Sequence, residues 1–212
     1  MKRSLLLLLL TLSFVPRLQA GPVEKTVRID ILGTTSQPTA MEVVEISAGG
    51  KTSFAEWAGA DRQKVVLAEF PATNHWQQGS ITIKPTSTGR IGLALTGPYV
   101  PEFEGTKQLR AIFAHFDNFS ATAGGNPVSL NNGSFENVGG NGTPQGWMFA
   151  NTDKSNPPVT EESRAKVING DAADGDKYVR VWHNSRAWQG ISVEAGVPVT
   201  ITFFYRLERG GQ

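Results

Sequence analysis

The 212-residue sequence contains no cysteine. No disulfide can hold it, so it does not belong with the stapled extracellular domains, and packing or a bound metal must supply stability. Histidine is scarce. His75, His115 and His183 have no metal-ligand spacing, and a zinc site is not expected. There is no G-x-S-x-G, no H-E-x-x-H and no thiol nucleophile, and the glycine clusters lack the Gly-Lys-Ser/Thr ending of a phosphate loop. No pair of carboxylates stands out as the acid and nucleophile of a glycosidase. Catalysis is therefore not expected. No stretch after the N-terminal segment keeps a helical apolar period beyond about two turns.

The sequence is rich in 23 Gly, 12 Pro and 5 Trp, a composition suited to short strands separated by turns. Its first residues read as an export signal. Lys2 and Arg3 precede the apolar run Leu5 to Leu12, which is too short to span a bilayer, and "RLQA" ends in the small residue Ala20. Residues 1–20 are expected to be a signal peptide. That places the mature chain outside the cell or in the periplasm, with no membrane span. Losing Lys2, Arg3 and Arg17 leaves 17 basic residues of the original 20 against 19 acidic ones. No basic block for a nucleic-acid backbone remains.

"TVRIDILG" sets Val27, Ile29 and Ile31 against Arg28 and Asp30, the alternation of a half-buried strand. "MEVVEISAGG" repeats it and ends in a turn. "KTSFAEWAGADRQKVVLAEF" is ambiguous and could hold one helical turn before a strand at Lys64 to Phe70. "GSITIKPTSTGRIGLALTG" reads as two strands joined by a turn. "LRAIFAHFDNFSA", "KVING", "KYVRVWH" and "WQGISVEAGVPVTITFFYRL" supply the rest. In the last, Val197, Val199, Ile201, Phe203 and Tyr205 share one face, and Thr200, Thr202, Phe204 and Arg206 the other. The fold class is all-β, an antiparallel β-sandwich. "TAGGNPVSL" reads as a boundary. Two tandem sandwich units are expected, residues 26–123 and 128–212, joined by a linker at 124–127. The second is short for a sandwich, so either further strands follow or the two halves pack as one unit.

The stretch "SLNNGSFENVGGNGTPQGW" carries Asn132-Gly133-Ser134-Phe135-Glu136 followed by Gly146-Trp147. It resembles the start of a CenC-like carbohydrate-binding module, grouped with families 4, 9 and 22. "GDKYVRVWH" and "WQGISVEAGVPVTITFFYR" resemble later strands of that module, so the resemblance covers about 128–207. "GRIGLALTG" and "LRAIFAHFDNFSATAGG" resemble its closing strands. The resemblance implies a jelly roll of the galactose-binding-like type. It implies polysaccharide or cell-surface glycan as the partner, and a structural calcium (Ca2+) to which Glu136 and Asp117 contribute. Without the ion, these two carboxylates cap backbone N–H groups. Phe135 and Trp147 are expected in the core.

Sugar recognition pairs an aromatic platform with polar groups that read hydroxyls. The candidate binding residues are Tyr178, Arg180 and Trp182, alternating on one strand, with Trp188 and Gln189 on the next. Trp188 and Gln189 have opposite parity, so both reach one groove only across a bulge. The expected function is exported, non-catalytic polysaccharide binding. The alternatives are a structural or adhesive surface spacer, or ancillary modules of a longer polysaccharide-degrading enzyme. Exposed aromatics favour the first, and burial of Trp147, Trp182 and Trp188 favours a spacer.

Overall fold

A computed structural model of the chain describes residues 25–33, 41–56, 64–151 and 158–208. The expected signal peptide, the segment 57–63 and the last residues of the polar tail lie outside these. The described residues form thirteen strands and no helix. In chain order they are β1 Thr26–Gly33, β2 Met41–Ile46, β3 Lys51–Glu56, β4 Lys64–Pro71, β5 Gln77–Pro85, β6 Gly89–Thr96 and β7 Ala114–Ala123. There follow β8 Asn126–Pro127, β9 Met148–Asn151, β10 Lys166–Asn169, β11 Lys177–Val181, β12 Ser185–Val193 and β13 Val199–Leu207. All pairings are antiparallel. A six-stranded sheet runs β3-β4-β1-β6-β12-β9, and a seven-stranded sheet runs β10-β11-β7-β13-β5-β2 with β8 paired to β7. The molecule is an all-β sandwich.

The two segments expected to form tandem sandwiches instead share both sheets. β12 lies between β6 and β9, with Ile191 opposite Ile91 and Ala187 opposite Leu95. β13 lies between β7 and β5, with Ile201 opposite Ala121 and Ile81. Each segment therefore fills positions in the other's hydrogen-bonding ladder, and only together do they bury one core. The expected linker is a tight turn, in which Gly124 and Gly125 take φ of 53° and 85°, a region open to glycine. β5 and β6 do not pair as a hairpin. The turn at 86–88 carries the chain from one sheet to the other. Residues 51–56, ambiguous in sequence, are the edge strand β3. The short strand β9 opens the long connection that leads to β10.

The alternating residues are inside as expected. Val27, Ile29, Ile31, Val199, Ile201, Phe203 and Tyr205 are all fully buried. Phe203 stacks on Phe119 at 5.2 Å and meets Phe70 edge-on at 5.1 Å. Phe135 and Trp147 close one end of this core, 4.9 Å apart, with Trp147 5.5 Å from Phe119. The glycines around them are there for space. A Cβ on Gly133 would sit 1.9 Å from the Phe119 carbonyl oxygen, and the Phe119 N–H donates to the Gly133 carbonyl at 2.9 Å. Gly146 has φ of 81°, which lets the chain turn and drop Trp147 into the core. The Trp147 indole N–H then donates to the carbonyls of Asn131 and Asn132, both at 3.1 Å.

Candidate functional site

The five residues expected to bind sugar do not converge. Tyr178 and Arg180 lie on the outer face of the seven-stranded sheet, where Arg180 is cross-strand to His115 and His115 to Arg206. The Arg206 guanidinium lies 4.4 Å over Trp76 and 5.2 Å over Tyr178. Its Nη1 donates to Asp171 at 2.6 Å, and the Trp76 indole donates to the Asp171 carbonyl at 2.9 Å. Arg180 lies 3.9 Å over Phe113, donates to the Glu162 carbonyl, and reaches Glu208 at 3.7 Å. Tyr178, His115 and Arg206 are buried. Burial, with the charges of Arg206 and Arg180, pushes His115 down to about 3, so it is neutral. This network ties the loop before β5 and the loop 170–176 to the sheet.

Trp182 falls just past the end of β11, where it forms an isolated bridge to Ser185. Its N–H donates to the Ser185 Oγ at 3.0 Å, and this tight turn swings the ring under the loop before β7. There the indole donates to the Arg110 carbonyl at 2.8 Å, and only 1% of the residue is exposed. Trp182 packs. Gln189 faces inward with Leu93, its partner on β6. Its amide accepts from the Asn131 N–H at 2.7 Å and donates to the Asn131 carbonyl at 2.8 Å. No bulge intervenes, so Gln189 holds the 131–133 segment while Trp188 points the other way.

Glu136 and Asp117, although far apart in sequence, meet the same loop. Asp117 Oδ2 accepts from the Ala173 and Asp174 N–H groups at 2.8 and 3.0 Å, and Oδ1 from Asn118 at 2.7 Å. Glu136 Oε1 accepts from the Asp176 and Lys177 N–H groups at 2.8 and 2.7 Å, and Oε2 pairs with the Lys177 ammonium at 3.2 Å. Burial raises Asp117 to about 6 against its amide donors. Burial also pushes Glu136 upward, but the Lys177 and Asp176 amides and the Lys177 ammonium outweigh it and hold Glu136 below its ordinary value. A calcium ion needs six or more oxygen ligands. Here every carboxylate oxygen faces a donor, and among the described residues no three Asp, Glu or His side chains gather around one point. As arranged, the donor set suits a backbone clasp and does not fit a hard cation.

The outer face of the six-stranded sheet is built differently. Its central strand β6 presents Arg90, Gly92, Ala94 and Thr96 there, since Ile91, Leu93 and Leu95 fill the core, and the Arg90 guanidinium donates to the Gly190 carbonyl at 3.2 Å. Longer side chains on β1 and β12 flank these small residues as the walls of a shallow trough and close over its floor, since Gly92, Ala94 and Thr96 are all buried. One wall is Arg28 and Asp30 on β1, opposite Thr96 and Ala94. The other is Arg186 and Trp188 on β12. Trp188 is opposite Ala94 on one side and the exposed Met148 on the other. Asp30, 2% exposed, bonds Arg28 Nε at 2.6 Å and lies 3.6 Å from Arg186 Nη1 across the trough. Trp188 is half-buried.

At the end of the trough Gly97 packs on the Trp182 backbone, where a Cβ would come within 2.9 Å. Beyond it a cavity of about 250 Å3 is lined by Lys25, Arg28, Glu69, Pro98 and Tyr99. The exposed Tyr99 ring meets His183 edge-on at 5.0 Å. Burial, then the charges of Arg28 and Arg186, push His183 down to about 4. His183 Nδ1 and the fully buried Thr96 hydroxyl have no hydrogen-bond partner.

Of the expected residues, only Trp188 belongs to this face. Arg28, Asp30, Arg186 and Tyr99 were not singled out, and His183 reads in sequence as a surface loop residue. One signal was available: Arg28 and Asp30, two apart in an alternating strand, must share the face opposite Ile29. Among the described residues no helix is long and apolar enough to cross a membrane. Comparison of the chain with protein-family models, curated proteins and solved structures finds no match.

Proposed function

We propose that the chain is an exported, non-catalytic polysaccharide-binding sandwich whose glycan lies along the outer face of the six-stranded sheet. One observation carries this: a half-buried Trp188 shares a trough with a guanidinium–carboxylate–guanidinium row, Arg28, Asp30 and Arg186. The apolar C–H face of a pyranose suits the indole, and planar forked groups suit vicinal hydroxyls. Trp188 and Asp30 are separated by one strand, so their backbones are about 10 Å apart, roughly the span of a sugar ring and its substituents.

The resemblance to a CenC-like, galactose-binding-like module supports the same reading in an unexpected chain order. The segment similar to the module's opening, 128–207, and that similar to its closing strands, 89–123, belong to one sandwich. We read the chain as such a module with its segments exchanged in order. A structural calcium at the Glu136–Asp117 loop would have to displace the donors these carboxylates now hold, so a melt unmoved by chelator is the expected result.

Burial of Trp147 and Trp182 favours the second reading, a structural or adhesive spacer. Affinity electrophoresis through gels containing β-glucan, xylan, mannan or pectate separates the two. Retardation in at least one gel, lost on Trp188→Ala with an unchanged melt, is expected. A folded wild-type chain that no gel retards is a spacer.

A further inference from the structure

Strand β6 runs the length of the trough. Near its start the Arg90 guanidinium lies over Gly190, to whose carbonyl it donates at 3.2 Å. Trp188 comes next, opposite Ala94. Arg28 follows, opposite Thr96, and the same Arg28 lines the cavity of about 250 Å3. Trough and cavity are therefore continuous. Past Gly97 and Pro98 the chain sets Tyr99 in the cavity wall, with 56% of the residue exposed.

Tyr99 is exposed but firmly held. Pro98 precedes it and Pro101 follows two residues later, each with its φ fixed by the ring. Gly97 is seated on the Trp182 backbone. After Tyr99 the chain forms a small hairpin. The Arg110 N–H donates to the Val100 carbonyl at 2.9 Å, Pro101 bridges Leu109, and the Glu102 N–H donates to the Gln108 carbonyl at 2.7 Å. The buried Trp182 indole holds the returning arm through the Arg110 carbonyl at 2.8 Å. The Tyr99 ring itself meets His183 edge-on at 5.0 Å. An aromatic ring kept in water by ordered backbone, in the wall of a cavity that Lys25, Arg28 and Glu69 also line, loses little further freedom when a ligand covers it.

The two rings are spaced for more than one sugar. Trp188 is opposite Ala94, and Tyr99 lies five residues further along the chain, so their backbones are at most roughly 17 Å apart in the β6 direction. Linked pyranose rings in an extended chain repeat about every 5 Å, so that interval holds about three steps. The cavity is smaller than the roughly 300 Å3 at which drug-sized pockets begin, which suits a single ring. We infer that the face takes four linked sugars of an extended glycan, the first stacked on Trp188 and the fourth seated in the cavity against Tyr99, with Lys25, Arg28 and Glu69 bonding its hydroxyls. This rests on the glycan-binding reading above and adds the length of chain that is recognised.

The test is isothermal titration calorimetry of the chain from residue 21 with cello-, xylo-, manno- and galacturono-oligosaccharides of two to six units. In the series that binds, the tetrasaccharide is expected to bind about tenfold more tightly than the trisaccharide, the increment of one stacked ring and its hydrogen bonds, and the hexasaccharide within about twofold of the tetrasaccharide. Tyr99→Ala removes the step from three to four units and leaves the trisaccharide affinity and the melt unchanged. Tyr99→Phe retains the ring and keeps the step. Phe54→Ala, which removes an exposed aromatic on the edge strand β3, also keeps it.

Affinity that is level from two or three units upward overturns the inference and leaves the glycan-binding reading standing. A step untouched by Tyr99→Ala overturns the place given to the fourth sugar. Retention by a polysaccharide gel without binding of any oligosaccharide overturns the inference alone. A folded chain that binds neither overturns both.

Discussion

Trp182 and Trp188 are six residues apart and have opposite fates. Alternation along "KYVRVWH" puts Trp182 beside Tyr178 and Arg180, and it holds through Val181. The strand then ends, and the ring is covered by the loop before β7, where its indole donates to the Arg110 carbonyl at 2.8 Å. A period of two cannot announce where a strand stops, so this placement was not legible. Trp182→Ala should remove a buried indole and its bond to Arg110, at a cost of about 3–5 kcal/mol. Urea melts check this. A midpoint within error of the wild type would mean that the ring is exposed. The parity of Trp188 and Gln189, by contrast, was legible, and they do face opposite sides of β12. What sequence could not supply was the partner of Gln189, since Asn131 lies 58 residues away.

At the scale of elements, the loop 170–177 is held by two carboxylates with opposite pH behaviour. The folded value of Glu136 lies below its ordinary 4.5. Its stabilisation is therefore present above that value and is lost as pH falls through the lower folded value. The folded value of Asp117 is raised from 3.8 to about 6. The folded chain binds this proton more tightly than the unfolded chain, so Asp117's contribution is greatest below the ordinary value and declines as pH rises to about 6. Melts from pH 3 to 8 should show the advantage of wild type over Glu136→Gln shrinking below about pH 4.5. The difference from Asp117→Asn should move in the variant's favour as pH rises towards 6. Parallel pH curves for the wild type and both variants would mean that neither carboxylate is held as described. Sequence singled out both residues, through the resemblance. Their convergence on one loop depends on pairing between distant strands, which no local pattern reports.

For the molecule as a whole, the strands were largely legible and their partners were not. Val27, Ile29 and Ile31 announce which face is buried, but not which of two sheets receives the strand. β5 and β6 show the difference, since they are joined by a short turn and belong to opposite sheets. The shortness of 128–212 was the useful clue, because β12 and β13 have their main partners in β5, β6 and β7. The intact chain should therefore melt in one calorimetric transition. Segments 21–123 and 128–212, produced separately, should each lack a cooperative melt and regain one when mixed. Two independent transitions would restore the tandem arrangement.

Hydrogen–deuterium exchange with and without the glycan that retards the chain most strongly tests the central claim directly. The account predicts new protection in β1, β6 and β12 and at residues 97–100, with loop 170–177 unchanged. Protection centred instead on loop 170–177, β10 and β11 would place the glycan on the seven-stranded sheet and contradict the site proposed here.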